Sequence, residues 1–254
     1  MEAITEATGS CTQCGQSINS SSRFCNHCGA LQAGGIEEDA KKRDGWLRLL
    51  AIFFGLDFLI CAVFNFTKSS HTLSWLLFTD CVLAAITIIF ALILWDDIKP
   101  LLRWKNCSLF KILYYSAAAI TAATIVHYSV KWLNRSIFDL EGYFYFGFSQ
   151  TTYPRLTMFA VIALQPALME ELGYRGVVQT GLLKILDTKQ AVFITAFLFA
   201  LIHMSFISFF WLLPFALGLS WIRMKENTLW YGVLIHFCFN ATVCVLELFE
   251  LNLF

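Results

Sequence analysis

Apolar residues in this chain come in long blocks separated by short polar runs. From residue 46 onward the blocks fall at about 46–66, 72–95, 108–133, 156–180, 190–206, 207–222 and 229–249. A helix needs about 20 apolar residues to cross about 30 Å of hydrocarbon. The pattern therefore predicts seven membrane-spanning helices. The fifth and sixth are the least separated, because only the break from His203 to Ser208 divides them. Residues 1–45 carry no such block. The expected fold class is an all-α polytopic membrane protein of about seven transmembrane helices, with a small polar module at its N-terminus.

Composition sharpens this picture. Of 254 residues, 58% are hydrophobic and 14% charged, against about 45–50% and about 25% in soluble domains. Net charge is zero, and the first 33 residues hold only Glu2, Glu6 and Arg23. No basic patch exists for phosphate neutralisation, which argues against nucleic acid as a partner. Charge also orients the helices. Lys41, Lys42, Arg43 and Arg48 precede the first block, and Lys99, Arg103, Lys105 and Lys111 fill the second connection. Lys184 and Lys189 fill the fourth, and Arg223 and Lys225 the sixth. The alternate connections hold Lys68, then Lys131 and Arg135 offset by Asp139 and Glu141, and the tail holds Glu247 and Glu250. Basic loops stay inside, so the N-terminus is expected in the cytoplasm and the C-terminus outside, in a prokaryotic cell membrane. The aromatic stretch Ile137 to Tyr153 is expected at the outer interface.

Nine cysteines divide by place. Cys11, Cys14, Cys25 and Cys28 form two CxxC-Gly knuckles separated by ten residues. Two such turns supply four thiolates, the tetrahedral set that zinc prefers, and a glycine after each lets the chain fold back. Residues 8–32 are therefore expected to be a zinc ribbon that folds with Zn2+, with Phe24 in its small core and His27 outside the ligand set. Such a module could recruit a cytosolic protein partner. Residues 33–45 are expected to be a flexible linker, and residues 46–254 the transmembrane domain. The remaining Cys61, Cys81, Cys107, Cys238 and Cys244 read as inert buried thiols.

Polar residues inside apolar blocks are costly and usually functional. The fourth block holds Pro166, then Glu170 and Glu171, then Arg175. Glu171 and Arg175 stand four residues apart on one helix face and can pair, whereas Glu170 points about 100° away and is left for other work. The fifth holds Phe199 and His203. The seventh holds His236 and Asn240, also four apart. At 1.5 Å per residue, Glu170, His203, His236 and Asn240 reach similar depth and can converge on one cavity. Asp57 and Asp80 read as bundle-facing hydrogen-bond partners.

The series EExxxR, FxxxH and HxxxN on successive apolar helices resembles the CPBP family, the CAAX-protease and bacteriocin-processing (Abi) intramembrane proteases, over roughly residues 155–245. The resemblance implies cleavage of a peptide or membrane-protein substrate in or near the lipid. Glu170, with Glu171 beside it, and His203 would activate water, and His236 and Asn240 would face the scissile carbonyl. The chemistry agrees: amide hydrolysis needs a base for water and donors for the oxyanion, and an asparagine suits the second role. A catalytic metal on Glu170, His203 and His236 also matches the His2Glu pattern of zinc hydrolases, and sequence leaves both versions open. The competing reading is a non-catalytic membrane adaptor or immunity protein that binds a peptide in the cavity while the ribbon recruits a partner. A proton-coupled transporter using Asp57 and Asp80 is the remaining alternative.

Overall fold

A computed structural model describes residues 8–19, 22, 24–30, 32–67, 72–104, 108–138 and 142–253. Arg23, Lys68, Lys105, Cys107, Asp139 and Glu141 lie outside the described residues. Contacts divide the chain into two units, Met1–Ala51 and Ile52–Phe254.

In the first unit, β1 (Thr8–Ser10) and β2 (Ser17–Asn19) pair antiparallel, with Gly9 opposite Ile18. The first cysteine knuckle is the turn between them. Helix α1 spans Ala33–Phe66, so residues 33–45 are helical and the expectation of a flexible linker is corrected. Gly34 and Gly35 do not break the chain. The sequence Glu37-Glu38-Asp39 stands four residues ahead of Lys41-Lys42-Arg43, the spacing and order that favour a helix.

The second unit is helical. After α1 come α2 (Leu73–Ile93), α3 (Leu109–Leu133), α4 (Pro154–Leu182), α5 (Thr188–Ile202), α6 (Phe206–Glu226) and α7 (Trp230–Glu250). The helix starts follow local chemistry. Thr72, Asp187 and Ser205 cap α2, α5 and α6 by accepting from backbone N–H groups one turn on. Asn227, at φ 49°, closes α6 in the left-handed region.

Six helices among the described residues are long and apolar enough to cross a membrane. The fifth expected span is the exception. At 15 residues α5 is about 22 Å long, short of the about 30 Å of hydrocarbon. It ends at His203, which caps its C-terminus.

Small residues lie where helices meet: Ala119 and Ala123 on α3, Ala163 and Ala167 on α4, and Ala216 on α6 are all buried. Alanine lets backbones approach closely in a medium that gives no hydrophobic drive to association. Large apolar side chains face outward instead. Phe110, Ile125, Trp132, Phe206 and Phe210 are all mostly exposed, a surface suited to lipid and not to water. The chain is an all-α polytopic membrane protein. Of the cysteines expected to be buried, Cys244 is buried, Cys61 and Cys238 are half-buried, and Cys81 is exposed on the apolar surface of α2.

Candidate functional site

The four cysteines are gathered as spacing predicts. Cys11 Sγ lies 3.6 Å from Cys28 Sγ, and Cys14 Sγ 3.7 Å from Cys25 Sγ. All four sulfurs lie within 4.8 Å of one another. A tetrahedral zinc with bonds of about 2.3 Å has sulfur–sulfur edges of about 3.8 Å, so the residues fit a metal ion of that kind. Gly15 and Gly29 have φ of 71° and 74°, which permits each turn to close. Backbone N–H groups of Cys14 and Gln13 donate to Cys11 Sγ at 3.4 and 3.3 Å. These bonds lower the Cys11 thiol to about 6 and favour the thiolate that a metal needs. Phe24 is not in the small core: it is 57% exposed, and Ile18 packs with Cys11 and Cys25 instead. A β-strand side chain fixed opposite the first knuckle has the shorter path to that centre. Sequence reading missed Gln32. It is buried, donates to Cys11 Sγ at 3.4 Å, and accepts from Thr12 N at 3.1 Å.

In the second unit, the site is built on an irregular α4. Two stretches, Phe159–Leu164 and Glu171–Val178, are wound as π-helix, a distortion common at functional sites. Pro166 has a local consequence. It has no N–H, so the carbonyl of Ile162, four residues earlier, loses its usual donor. Asn240 Nδ2 takes that place at 2.9 Å. The bond fixes the Asn240 amide against α4 and leaves its second N–H hydrogen unspent.

Glu171 and Arg175 form the pair that their spacing predicts, with Nη1 donating to Oε1 at 2.8 Å and both side chains fully buried. Arg175 Nη2 also donates to the Ala216 carbonyl at 3.2 Å. The same Glu171 Oε1 lies 3.1 Å from His236 Nδ1. Glu170 Oε2 lies 3.8 Å from His236 Nε2 on the other side of the ring. His236 thus stands between the two carboxylates. Glu171 is behind it, sealed from the cavity, whereas Glu170 lines the cavity. Gly232, one turn before His236, makes this approach possible. A Cβ there would lie 2.6 Å from Glu171 Oε2.

Phe199 is the packing hub. Arg175 Cζ sits 4.5 Å from its ring centre, and the rings of His203, Tyr174 and His236 lie at 5.0, 5.3 and 6.0 Å. Tyr174 donates from its hydroxyl to Asp57 Oδ2 at 2.5 Å, so Asp57 is a bundle-facing hydrogen-bond partner. His203 Nδ1 lies 2.9 Å from the Phe199 carbonyl, which leaves Nε2 for other partners.

Glu170, His203, His236 and Asn240 line one cavity of about 530 Å³, together with Asp80 of α2. The cavity continues past Asn240 to His127, Lys131, Tyr143, Glu247 and Glu250, which sequence reading did not assign to it. One signal was available: His236, Asn240, Val243, Glu247 and Glu250 recur at three- and four-residue steps along one face of α7.

Residues 152–242 match the family model of type II CAAX prenyl endopeptidase Rce1-like proteins. The match contains all three motifs and bears out the family resemblance drawn from them. No curated protein and no solved structure matches the chain. The Rce1-like segment holds Glu170, Glu171, Arg175, His203, His236 and Asn240. The four-cysteine module, Asp57, Asp80, Lys131, Glu247 and Glu250 lie outside it. The likeness to a protease family is thus confined to residues 152–242, within an integral membrane protein.

Proposed function

We propose that the chain is an intramembrane endopeptidase that hydrolyses a peptide bond in or near the membrane, with its N-terminus in the cytoplasm. The observation that supports this most is the shared cavity wall of Glu170, His203, His236 and Asn240. Glu170 acts as general base on a water held with His203 Nε2. The resulting hydroxide attacks the scissile carbonyl carbon. Charge moves to the carbonyl oxygen, where His236 Nε2 and the free Asn240 N–H donate. For His236 to donate there while Nδ1 donates to Glu171, the ring carries both protons. Glu170 then returns its proton to the departing amine. Glu171 and Arg175 position His236 and do not touch substrate.

The metal-free version is preferred over a His2Glu metal centre. Among the described residues, the cysteines are the one group whose ligand atoms gather within 4.8 Å.

The test is mass spectrometry of membrane-derived peptides from cells carrying the wild-type chain or Glu170→Gln. Peptides ending at new termini are expected with the wild type alone. Identical peptide sets, with both proteins present at equal levels, would remove the protease reading in favour of an adaptor.

A further inference from the structure

The cavity has a second polar end that hydrolysis does not use. Along α7, Glu247 lies seven residues beyond Asn240 and eleven beyond His236, about 10 and 16 Å along the axis. At that end Lys131 Nζ is 2.5 Å from Glu250 Oε2, and His127 Nε2 is 3.2 Å from Glu250 Oε1. The Lys131 ammonium also lies 5.0 Å from the Tyr143 ring centre. Among the described residues, Lys131 is the one lysine or arginine lining the cavity, and its charge is already matched by Glu250.

Glu247 has no such match. It is 3% exposed, and its Oε1 accepts one hydrogen bond, from Tyr145 N at 2.6 Å. No cationic side chain pairs with it among the described residues, although each neighbouring charged group has a partner. Burying a carboxylate without a counter-charge is costly. Among the described residues lining the cavity, Asp80, Glu170, Glu247 and Glu250 are acidic, whereas Lys131 supplies the one ammonium or guanidinium.

We propose that this end of the cavity receives a basic side chain of the substrate, a lysine ammonium or arginine guanidinium, with Glu247 as its counter-charge. At about 3.3 Å per extended residue, 10–16 Å places that side chain roughly three to five residues from the scissile bond. This register rests on the protease reading, whereas the charge preference does not. The substrate class is an apolar peptide segment carrying one basic residue at that distance.

The test uses the full-length chain in nanodiscs of neutral lipid, with Glu170→Gln so that nothing is turned over. The probes are end-capped, dye-labelled Leu/Ala decapeptides that carry one lysine, norleucine or glutamate at the same position. Dissociation constants are read by fluorescence anisotropy against empty discs. The lysine peptide is expected to bind at least about ten-fold more tightly than the norleucine peptide, about 1.4 kcal/mol. Adding Glu247→Gln, which keeps the acceptor for Tyr145 N, should bring the lysine peptide to the norleucine level and leave the norleucine peptide unchanged. Equal binding of lysine and norleucine peptides overturns the proposal. So does tighter binding of the glutamate peptide, which would make Lys131 the recognising group, or a lysine preference that survives Glu247→Gln. If that variant fails to fold, the comparison of peptides on the chain retaining Glu247 decides alone. Cleavage of the same peptides by the chain retaining Glu170 tests the protease reading separately. Charge preference without cleavage would keep the acidic end and discard the protease, and cleavage without preference would do the reverse.

Discussion

The four-cysteine module and the membrane site are both constellations of a few polar residues, yet they are assembled in opposite ways. In the module all four cysteines fall between residues 11 and 28, and two tight turns bring the sulfurs together. In the membrane site the partners come from three helices, between residues 170 and 240, and Asn240 and His236 are each held by something distant. Asn240 is fixed by the carbonyl that Pro166 vacates, and His236 by Glu171 across the gap that Gly232 leaves open. Where geometry is local, spacing determines role. Where it is long-range, spacing names the participants and packing determines what each one does.

Substitutions in the two regions are expected to act differently. The largest effect is expected in the module. Cys11→Ser should abolish metal binding and the fold of residues 8–30, since zinc supplies about 10–16 kcal/mol to such modules. The helices should melt at an unchanged temperature. Zinc per molecule should fall from about one to none, and His203→Ala and His236→Ala should leave it at one. Zinc lost in the histidine variants would instead place a second metal in the membrane. Next comes Arg175→Ala, which strands the buried Glu171 carboxylate at a cost of about 3–5 kcal/mol. Thermal unfolding in detergent should show it, with partial recovery on adding Glu171→Gln. Normal stability with lost cleavage would move Arg175 into the substrate site. Asn240→Ala should slow cleavage by about 100–1,000-fold, near 2.7–4 kcal/mol, with little change in substrate affinity. A loss of stability alone, with the cleavage rate retained, would reduce Asn240 to its bond with Ile162. Gly232→Ala is expected to be the mildest, about 1–3 kcal/mol from forcing Glu171 and α7 apart. An unchanged melting temperature would show that the contact relaxes freely.

Much of this was legible in the sequence. Apolar blocks marked the helices, because lipid leaves the backbone few other choices. Polar residues inside those blocks marked the site, because lipid makes them costly. Three features were not legible, each for a physical reason. The brevity of α5 depends on where the chain turns, at Met204 with φ 47°, and hydropathy does not register a turn between two apolar helices. The helical start of α1 was hidden by Gly34 and Gly35, whose weak propensity the following charge pattern outweighs. The separate duties of Glu170 and Glu171 were half visible. Helical geometry gave their different directions, but only packing seals Glu171 behind His236 and leaves Glu170 on the cavity wall.

The hydrolysis proposed for the cavity turns on Glu170 as the base. Its most direct test is single-turnover cleavage, by the purified chain in lipid, of a substrate found in the membrane-peptide comparison, with wild type set against Glu170→Gln. The glutamine keeps size and hydrogen bonding but cannot take a proton from water. Binding should be retained while cleavage falls at least about 100-fold, the low end of what general base catalysis contributes. Cleavage at the wild-type rate by Glu170→Gln would exclude Glu170 as that base.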